Sequence, residues 1–189
     1  PPGQSAPLDV HGFELSADES KLLLFSNSKR VWRRNTRGDY WVLDLTSRRL
    51  QKLGGNAAPS TLMFAKFSPD ATRVAYVREN NIYVQELRRM KITALTRDGS
   101  PTLINGTSDW VNEEELSIRD AFRWSPDGRS IAFWQFDTSG VRQFHLINNT
   151  ADTYPKITSF PYPKVGETNS ATRLGVISAT GGEVRWLDV

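Results

Sequence analysis

Cysteine is absent from the 189-residue sequence, and histidine occurs only at His11 and His145. The first absence excludes disulfides, thiol catalysis and zinc sites with cysteine ligands. Two histidines are too few for a histidine-rich metal centre, and His145 alternates within QFHLI as a strand residue does. We therefore expect the chain to hold no metal and no cofactor.

Long apolar runs are missing as well, since no stretch approaches the ~18 residues that a membrane-spanning helix needs. The opening PPGQSAPLDVHG lacks the basic and apolar parts of an export signal. If the parent protein is exported or anchored, we expect that segment to have been removed. The lack of cysteine does not settle the compartment, because many exported bacterial proteins also lack it.

Charge is nearly balanced, with 24 basic and 21 acidic residues and a net charge of +3. The basic residues gather in residues 29–37 and 88–91, at predicted strand ends and turns. Nucleic-acid binding needs basic residues interleaved with exposed aromatics on one face. The sequence therefore predicts no nucleic-acid partner.

Three segments repeat one pattern of an apolar anchor, a turn that contains serine, and a β-type run. They are LSADESKLLLF at 15–25, FSPDATRVAYV at 67–77 and WSPDGRSIAFW at 124–134. A second strand is predicted to follow each repeat, at 39–45, 81–87 and 143–147, and a short third strand at 49–53 and 91–95. A fourth unit is predicted to begin at residues 172–179 and to continue through Gly181-Gly182 into residues 183–189.

Units of roughly 50 residues with about four antiparallel strands are typical of β-propeller blades. The sequence thus predicts an all-β fold, a partial propeller of three to four blades. Because closed propellers have at least four blades and often more, we expect residues 1–189 to be a fragment of a larger propeller. An open propeller leaves edge strands unpaired, and these are predicted to pair between copies as a homo-oligomer.

Two segments interrupt the repeat. Residues 152–169 contain three prolines, which favour an extended or edge segment. Residues 107–120 contain DWVNEEE, whose three adjacent carboxylates are either a solvated turn or a pocket for a positive charge. In a strand, Glu114 and Glu115 would point to opposite faces, whereas on a helical turn they stand ~100° apart and can share a small cation. Asp109 is a good N-cap, so the sequence predicts a short helix within residues 109–120.

Catalytic patterns are not found in these residues. The sequence contains no GxSxG nucleophile elbow, and neither histidine has a context that suggests a base for a serine. Adjacent glutamates rarely oppose one another across a glycosidic bond, so a propeller glycosidase lacks a candidate pair. We expect no catalytic residue in this fragment.

DWVNEEE followed by AFRWSPDGRSIAFWQFD resembles the propeller of the dipeptidyl peptidase IV family of serine peptidases. VWRR at 31–34 is similar to the QWRH segment of that family, and TYPKITSFPYPKVGETN is similar to its YPK…PYPKAG segment. The order and spacing of these motifs also match. The sequence departs from the family at Asn112, where an aromatic residue is usual, and at Arg34, which replaces a histidine.

The resemblance implies a two-domain enzyme that removes X-Pro and X-Ala dipeptides from peptide N-termini. Its propeller caps an α/β-hydrolase domain, which carries the Ser-Asp-His triad and is absent from this chain. It also implies that Glu114 and Glu115 bind the substrate ammonium group and that Arg33 contacts the substrate backbone. Glu113 is interpreted as structural or solvent-facing, and Trp32 and Trp110 as packing residues.

The implied partners are a peptide with a free N-terminus and the hydrolase domain of the same protein. Because the extracellular animal members of the family are disulfide-bonded, the resemblance and the lack of cysteine together imply a bacterial member, with a periplasmic or membrane-anchored extracytoplasmic location. An alternative of another class stays open, because SPDG repeats alone also suit it. This is a non-catalytic periplasmic propeller scaffold that binds a protein partner. A GxSxG elbow in sequence beyond Val189 would discriminate in favour of the peptidase.

Overall fold

The computed structural model describes residues 6–188, which form antiparallel sheets and one short helix, α1. The elements in that range, in chain order, are β1 (Val10–Leu15), β2 (Lys21–Arg30), β3 (Asn35–Asp44), β4 (Leu50–Lys52), β5 (Leu62–Phe67), β6 (Arg73–Arg78), β7 (Asn81–Glu86), β8 (Ile92–Ala94), β9 (Leu103–Asn105), α1 (Trp110–Leu116), β10 (Phe122–Trp124), β11 (Ser130–Asp137), β12 (Gln143–Asn148), β13 (Lys156–Pro161), β14 (Ala171–Ser178) and β15 (Arg185–Leu187). In the described range, no helix is long and apolar enough to span a membrane.

The three repeats predicted from sequence fold into the same turn. In each, a serine Oγ donates to the carboxylate two residues later, at 2.5–2.6 Å. The same Oγ accepts the backbone N–H five residues after the serine, at 2.9–3.0 Å. The serine–aspartate pairs are Ser16–Asp18, Ser68–Asp70 and Ser125–Asp127. This hydrogen bond is the main reason that the pKa of Asp18 falls to about 2.

Each turn joins the first two strands of a four-stranded antiparallel blade. The first blade is β1–β4 and the second is β5–β8, and a short pairing of β3 with β5 joins them into one sheet. The third blade follows the order β10-β11-β14-β15, with β9 also paired to β11. The short third strands predicted at 49–53 and 91–95 are confirmed as β4 and β8.

The pairing of the third blade corrects two predictions. Residues 143–147 form β12, but β12 pairs with β13 in a separate hairpin and not with β11. The strand that pairs with β11 is β14, at residues that were predicted to begin a fourth blade. The described residues therefore contain three blades, and Val189, the end of the predicted fourth unit, lies outside them.

The physical reason lies in which strand can be buried. Most of β12 is exposed, whereas Gly175 and Ile177 of β14 are buried in the third blade. Gly175 lets a neighbouring strand and two aromatic rings come close, because a Cβ there would lie 2.9 Å from the Trp186 ring and 3.1 Å from that of Phe133. The two-stranded β12–β13 hairpin is thus an insertion in the chain between β11 and β14, the second and third strands of the third blade.

Two hydrophobic layers hold the blades face to face. One lies between the first and second blades and includes Leu23, Val42, Val74 and Tyr76. The other joins the second and third blades and is built from the buried side chains Met63, Ala75, Val77, Ile82, Val84, Leu95, Phe122, Ile131, Phe133 and Ile177. Blade-on-blade burial of this kind gives the acidic insertion a rigid support.

Candidate functional site

The acidic insertion divides an edge strand of the third blade. Both β9 and β10 pair with β11, Asn105 opposite Gln135 and Phe122 opposite Phe133. The chain therefore leaves the sheet edge after β9, forms α1, and returns to the same edge at β10. Because both ends of the insertion are fixed by one strand, α1 is held close to that edge.

Asp109 caps the start of α1, as the sequence predicts. Its Oδ1 accepts the Asn112 backbone N–H at 3.0 Å and the Asn112 side-chain amide at 2.7 Å. Its Oδ2 accepts a short hydrogen bond from the Ser170 hydroxyl, which lies just before β14. Asn112, where the family has an aromatic residue, thus serves the cap of this helix.

The return from α1 to β10 is tied down along its length. Ser117 ends the helix in the left-handed conformation (φ 58°), and its N–H donates to the Asn112 carbonyl. Further on, Asp120 accepts two hydrogen bonds of 2.5 Å from Lys66 of the second blade. Burial lowers the pKa of Lys66 to about 8, and the charge of Asp120 opposes that shift. This contact links the insertion to the neighbouring blade.

The three glutamates of α1 lie in different environments. Glu113 is buried, with 2% of its surface exposed, and its Oε1 lies 3.5 Å from Nε of Arg119. Burial raises the pKa of the Glu113 carboxyl, and Arg119 counteracts the rise. Of the two interpretations of Glu113, the structural one agrees with this position and the solvent-facing one does not. Glu115 is exposed.

Glu114 is paired with Arg33. The side chain of Glu114 is only 4% exposed, and its Oε2 contacts Nε of Arg33, whose side chain is 77% exposed. The other carboxylate oxygen, Oε1, is buried and has no hydrogen-bond partner among the described residues. A buried anionic oxygen without a partner costs free energy, so this atom is a ready acceptor for a donor from outside the chain.

Arg33 is presented by a tight turn between β2 and β3. The Val31 N–H donates to the Arg34 carbonyl at 3.0 Å, and Nε of Arg30 donates to the Trp32 carbonyl at 2.8 Å. These bonds fix the backbone on both sides of Arg33. Arg34, where the motif has histidine, is exposed.

An aromatic cluster brings the three motif segments together. Trp32 of the arginine turn packs on Phe160 of β13 at 5.2 Å between ring centroids, and Trp110 of α1 packs on Phe160 at 6.2 Å. Tyr162 lies 4.3 Å from Trp110, and Phe144 of β12 completes the cluster. The prediction that Trp32 and Trp110 are packing residues is confirmed.

The structure therefore brings Arg33 and Glu114 into contact and leaves Glu115 beside them on the exposed side of the helix. Sequence reasoning missed the Lys66–Asp120 link, the Arg119 partner of Glu113 and the role of Phe160. Only Phe160 had a sequence signal, as one of two aromatic residues in the otherwise polar and proline-rich segment SFPYPK. In residues 6–188, no group of three or more metal-ligating side chains is placed to hold a metal ion.

Known proteins resemble this chain over nearly all of its length. It is 38% identical over 180 residues to dipeptidyl aminopeptidase B of Saccharomyces cerevisiae, covering 93% of this chain and 21% of that protein. A probable dipeptidyl peptidase 4 of Aspergillus clavatus is 34% identical over 189 residues, covering 97% of this chain and 24% of that protein. The chain thus spans about a fifth to a quarter of these curated relatives.

A solved structure extends the match to three dimensions. The crystal structure of Porphyromonas gingivalis dipeptidyl peptidase 4 superposes with a TM-score of 0.90 at 27% identity, over 98% of this chain and 26% of that one. Two of these relatives are fungal and one is bacterial, so the bacterial source expected from the lack of cysteine stays a prediction. The family model described as the dipeptidyl peptidase IV (DPP IV) N-terminal region matches residues 16–189. The chain belongs to the dipeptidyl peptidase IV N-terminal region family, of which it forms a part of the propeller.

Proposed function

We propose that this chain is part of the substrate-recognition propeller of a serine dipeptidyl peptidase that releases X-Pro or X-Ala dipeptides from peptide N-termini. The catalytic α/β-hydrolase domain, with the Ser-Asp-His triad, is then a separate part of the full-length protein. The observation that carries the proposal is the buried Glu114 carboxylate, whose Oε1 has no partner in the described part of the chain.

The ligand that suits this oxygen is a compact cation with several donors. A peptide ammonium group has three N–H donors, and one of them satisfies Oε1 of Glu114. Glu115 follows Glu114 on the helix, ~100° further around the axis, and supplies the second carboxylate. A peptide with a blocked N-terminus brings no positive charge and leaves the carboxylate unpaired, so it is rejected.

Arg33 has two roles in this proposal. Its Nε contacts one oxygen of Glu114 and places a positive charge beside that buried carboxylate before substrate arrives. The guanidinium has five N–H donors in total, and most of the side chain is exposed, so others remain for a substrate carbonyl. The ammonium site and the carbonyl site are then held at a fixed separation, which measures the distance from the free amine to the scissile bond.

The test compares Glu114→Ala and Glu115→Ala in the full-length peptidase, with an Ala-Pro amide as substrate. Truncating one partner of a buried charge pair costs about 2–5 kcal/mol, so Glu114→Ala is expected to lower kcat/KM by about 30-fold or more. Glu183→Ala, which removes an exposed carboxylate from the third blade, is the control and should have no effect. Unchanged kinetics in both glutamate variants would overturn the proposed ammonium site, whereas no turnover by the wild-type full-length protein would favour the non-catalytic scaffold.

The pH dependence of binding is a second test. A peptide α-amine has a pKa near 7.7–8.0, and only its charged form pairs with the carboxylates. Affinity for a dipeptide analogue is therefore expected to fall as pH rises through that range. Equal affinity at mildly acidic and alkaline pH would contradict an ammonium site.

Homo-oligomer formation through edge strands is a further proposal, for which β1 offers support. This strand lies at the edge of its sheet, and Val10, Phe13 and Leu15 are exposed there. An exposed apolar edge strand can pair with a strand of another molecule. Analytical ultracentrifugation of the protein with Phe13→Lys tests this, because the charged variant should lower the association state.

A further inference from the structure

Phe160 is the buried residue of β13 and, with Tyr162 just after that strand, packs the β12–β13 hairpin against the rest of the molecule. Of the six residues of β13, four are exposed and only Phe160 is buried, at 8% exposure. A two-stranded hairpin is marginally stable by itself. Its place in the structure therefore depends on what the Phe160 ring contacts.

The Phe160 ring lies against both parts of the candidate site. It packs on Trp32, the residue immediately before Arg33, at 5.2 Å between ring centroids, and on Trp110 at 6.2 Å. Trp110 precedes Glu114 by four residues, so the two side chains lie on the same face of α1. One ring thus touches the segment that carries the arginine and the helix that carries the glutamate.

The anchors of each segment do not by themselves set the distance between the turn and the helix. A helix of seven residues is far below the length at which helices are stable in water. The Arg33 side chain is largely exposed, and its guanidinium depends on the backbone of a four-residue turn for its direction. The Phe160 ring packs on both tryptophans and so helps to set the position of the turn relative to the helix.

We propose that Phe160 is a positioning residue, which sets the separation of Arg33 and Glu114 and through it the affinity for the substrate N-terminus. This inference rests on the proposed function. Through Phe160, the hairpin affects substrate recognition, although neither of its strands contributes a group to the ammonium site. Ser170, in the connection from the hairpin to β14, donates to the cap residue Asp109, so this connection is also anchored to α1.

Phe144 provides a matched control. Its ring packs on Phe160 at 6.1 Å and on Tyr162 at 5.2 Å, both on the hairpin side of the cluster. Among the ring pairs of residues 6–188, none joins Phe144 to Trp32 or Trp110. Phe144→Ala therefore removes an aromatic side chain from the same cluster without touching the turn or the helix.

The experiment measures kcat and KM of the full-length peptidase on an Ala-Pro amide for Phe160→Ala, Phe160→Tyr and Phe144→Ala. Contacts made equally in the ground and transition states affect KM, so Phe160→Ala should raise KM about 10-fold and leave kcat within about twofold. Phe160→Tyr keeps both ring contacts and should restore KM, and Phe144→Ala should change KM less than about twofold. In an Arg33→Ala background, Phe160→Ala should have almost no further effect, because the pair it positions is gone.

The outcomes separate this inference from the proposed function. If Glu114→Ala raises KM but Phe160→Ala behaves like Phe144→Ala, the inference is wrong and the proposed function stands. If Glu114→Ala leaves KM unchanged, the proposed function itself fails. A simple loss of stability would lower the active fraction and so kcat, without the rise in KM. Should Phe160→Ala not fold, Phe160→Leu against Phe144→Leu makes the same comparison, and equal KM values in that pair would also overturn the inference.

Discussion

Replacing Asp109 with alanine is expected to loosen helix α1 without unfolding the blades. The variant loses two kinds of contact: the cap, to which Asn112 donates its backbone N–H at 3.0 Å and its side-chain amide at 2.7 Å, and the hydrogen bond from the Ser170 hydroxyl. A lost N-cap costs about 1 kcal/mol. A hydrogen bond to a charged group contributes about 1.5 kcal/mol at the lower end of its range. Together the opening free energy of the helix should fall by about 2.5 kcal/mol, which is roughly 70-fold in the opening equilibrium.

Native-state hydrogen exchange of the full-length protein measures this opening directly, because local unfolding exposes the amides of one element at a time. Two variants serve as controls. Ser170→Ala loses only the second contact and should speed exchange in α1 by about 10-fold. Asp109→Asn keeps a good cap and should change exchange by less than about fivefold. The amides of β11, which belong to the blade, should be unaffected in all three proteins.

The reasoning would be refuted if Asp109→Ala and Ser170→Ala accelerated exchange equally, since the cap would then contribute nothing. Faster exchange throughout the third blade would also contradict it. That result would mean that α1 and the blade open as one unit and that the helix is not a separate insertion.

Two further predictions concern the blades. Asp18→Asn should make the free energy of unfolding depend less on pH in acid. The folded-state pKa of Asp18 is about 2, below its unfolded value. Its contribution to stability is therefore present above pH ~4 and is lost as pH falls through about 2. In thermal unfolding, the difference in Tm between Asp18→Asn and wild type should be smaller at pH 2.5 than at pH 5. An equal difference at both pH values would contradict this. Gly175→Ala should destabilise the third blade by about 1–3 kcal/mol in urea unfolding, because its Cβ would lie 2.7 Å from Val184. Gly140→Ala, where a Cβ meets nothing within 4 Å, should be close to neutral, and equal effects would refute the steric explanation.

Local patterns in the sequence predicted most of the blade structure. Serine and aspartate two residues apart close a turn through their own side chains, so Ser16–Asp18 and its two repeats could be recognised without any tertiary information. The N-cap at Asp109 and the helical state of the acidic stretch were predictable for the same reason. Each of these features depends on contacts between residues only a few positions apart.

Strand pairing in the third blade was decided by tertiary burial. Residues 143–147 and β14 both have strand-forming sequences, and only packing against Phe133 and Trp186 distinguishes the strand that joins the blade. A sequence pattern cannot show which of two strands finds a complementary surface. The prediction that residues 172–179 begin a fourth blade was wrong for this reason.

In the candidate site, too, some features follow from the local sequence and others only from tertiary packing. The sequence by itself determined the chemistry, because three carboxylates on a short helix and an arginine after Trp32 are properties of the residues and their local order. The tertiary structure alone decided that Glu114 is buried against Arg33, that Glu113 faces Arg119, and that Phe160 lies between the turn and the helix. The contacts of Glu114 and Phe160 join residues about 50 or more positions apart, and the environment of Glu113 depends on its burial. Both follow only from how the blades and the hairpin pack.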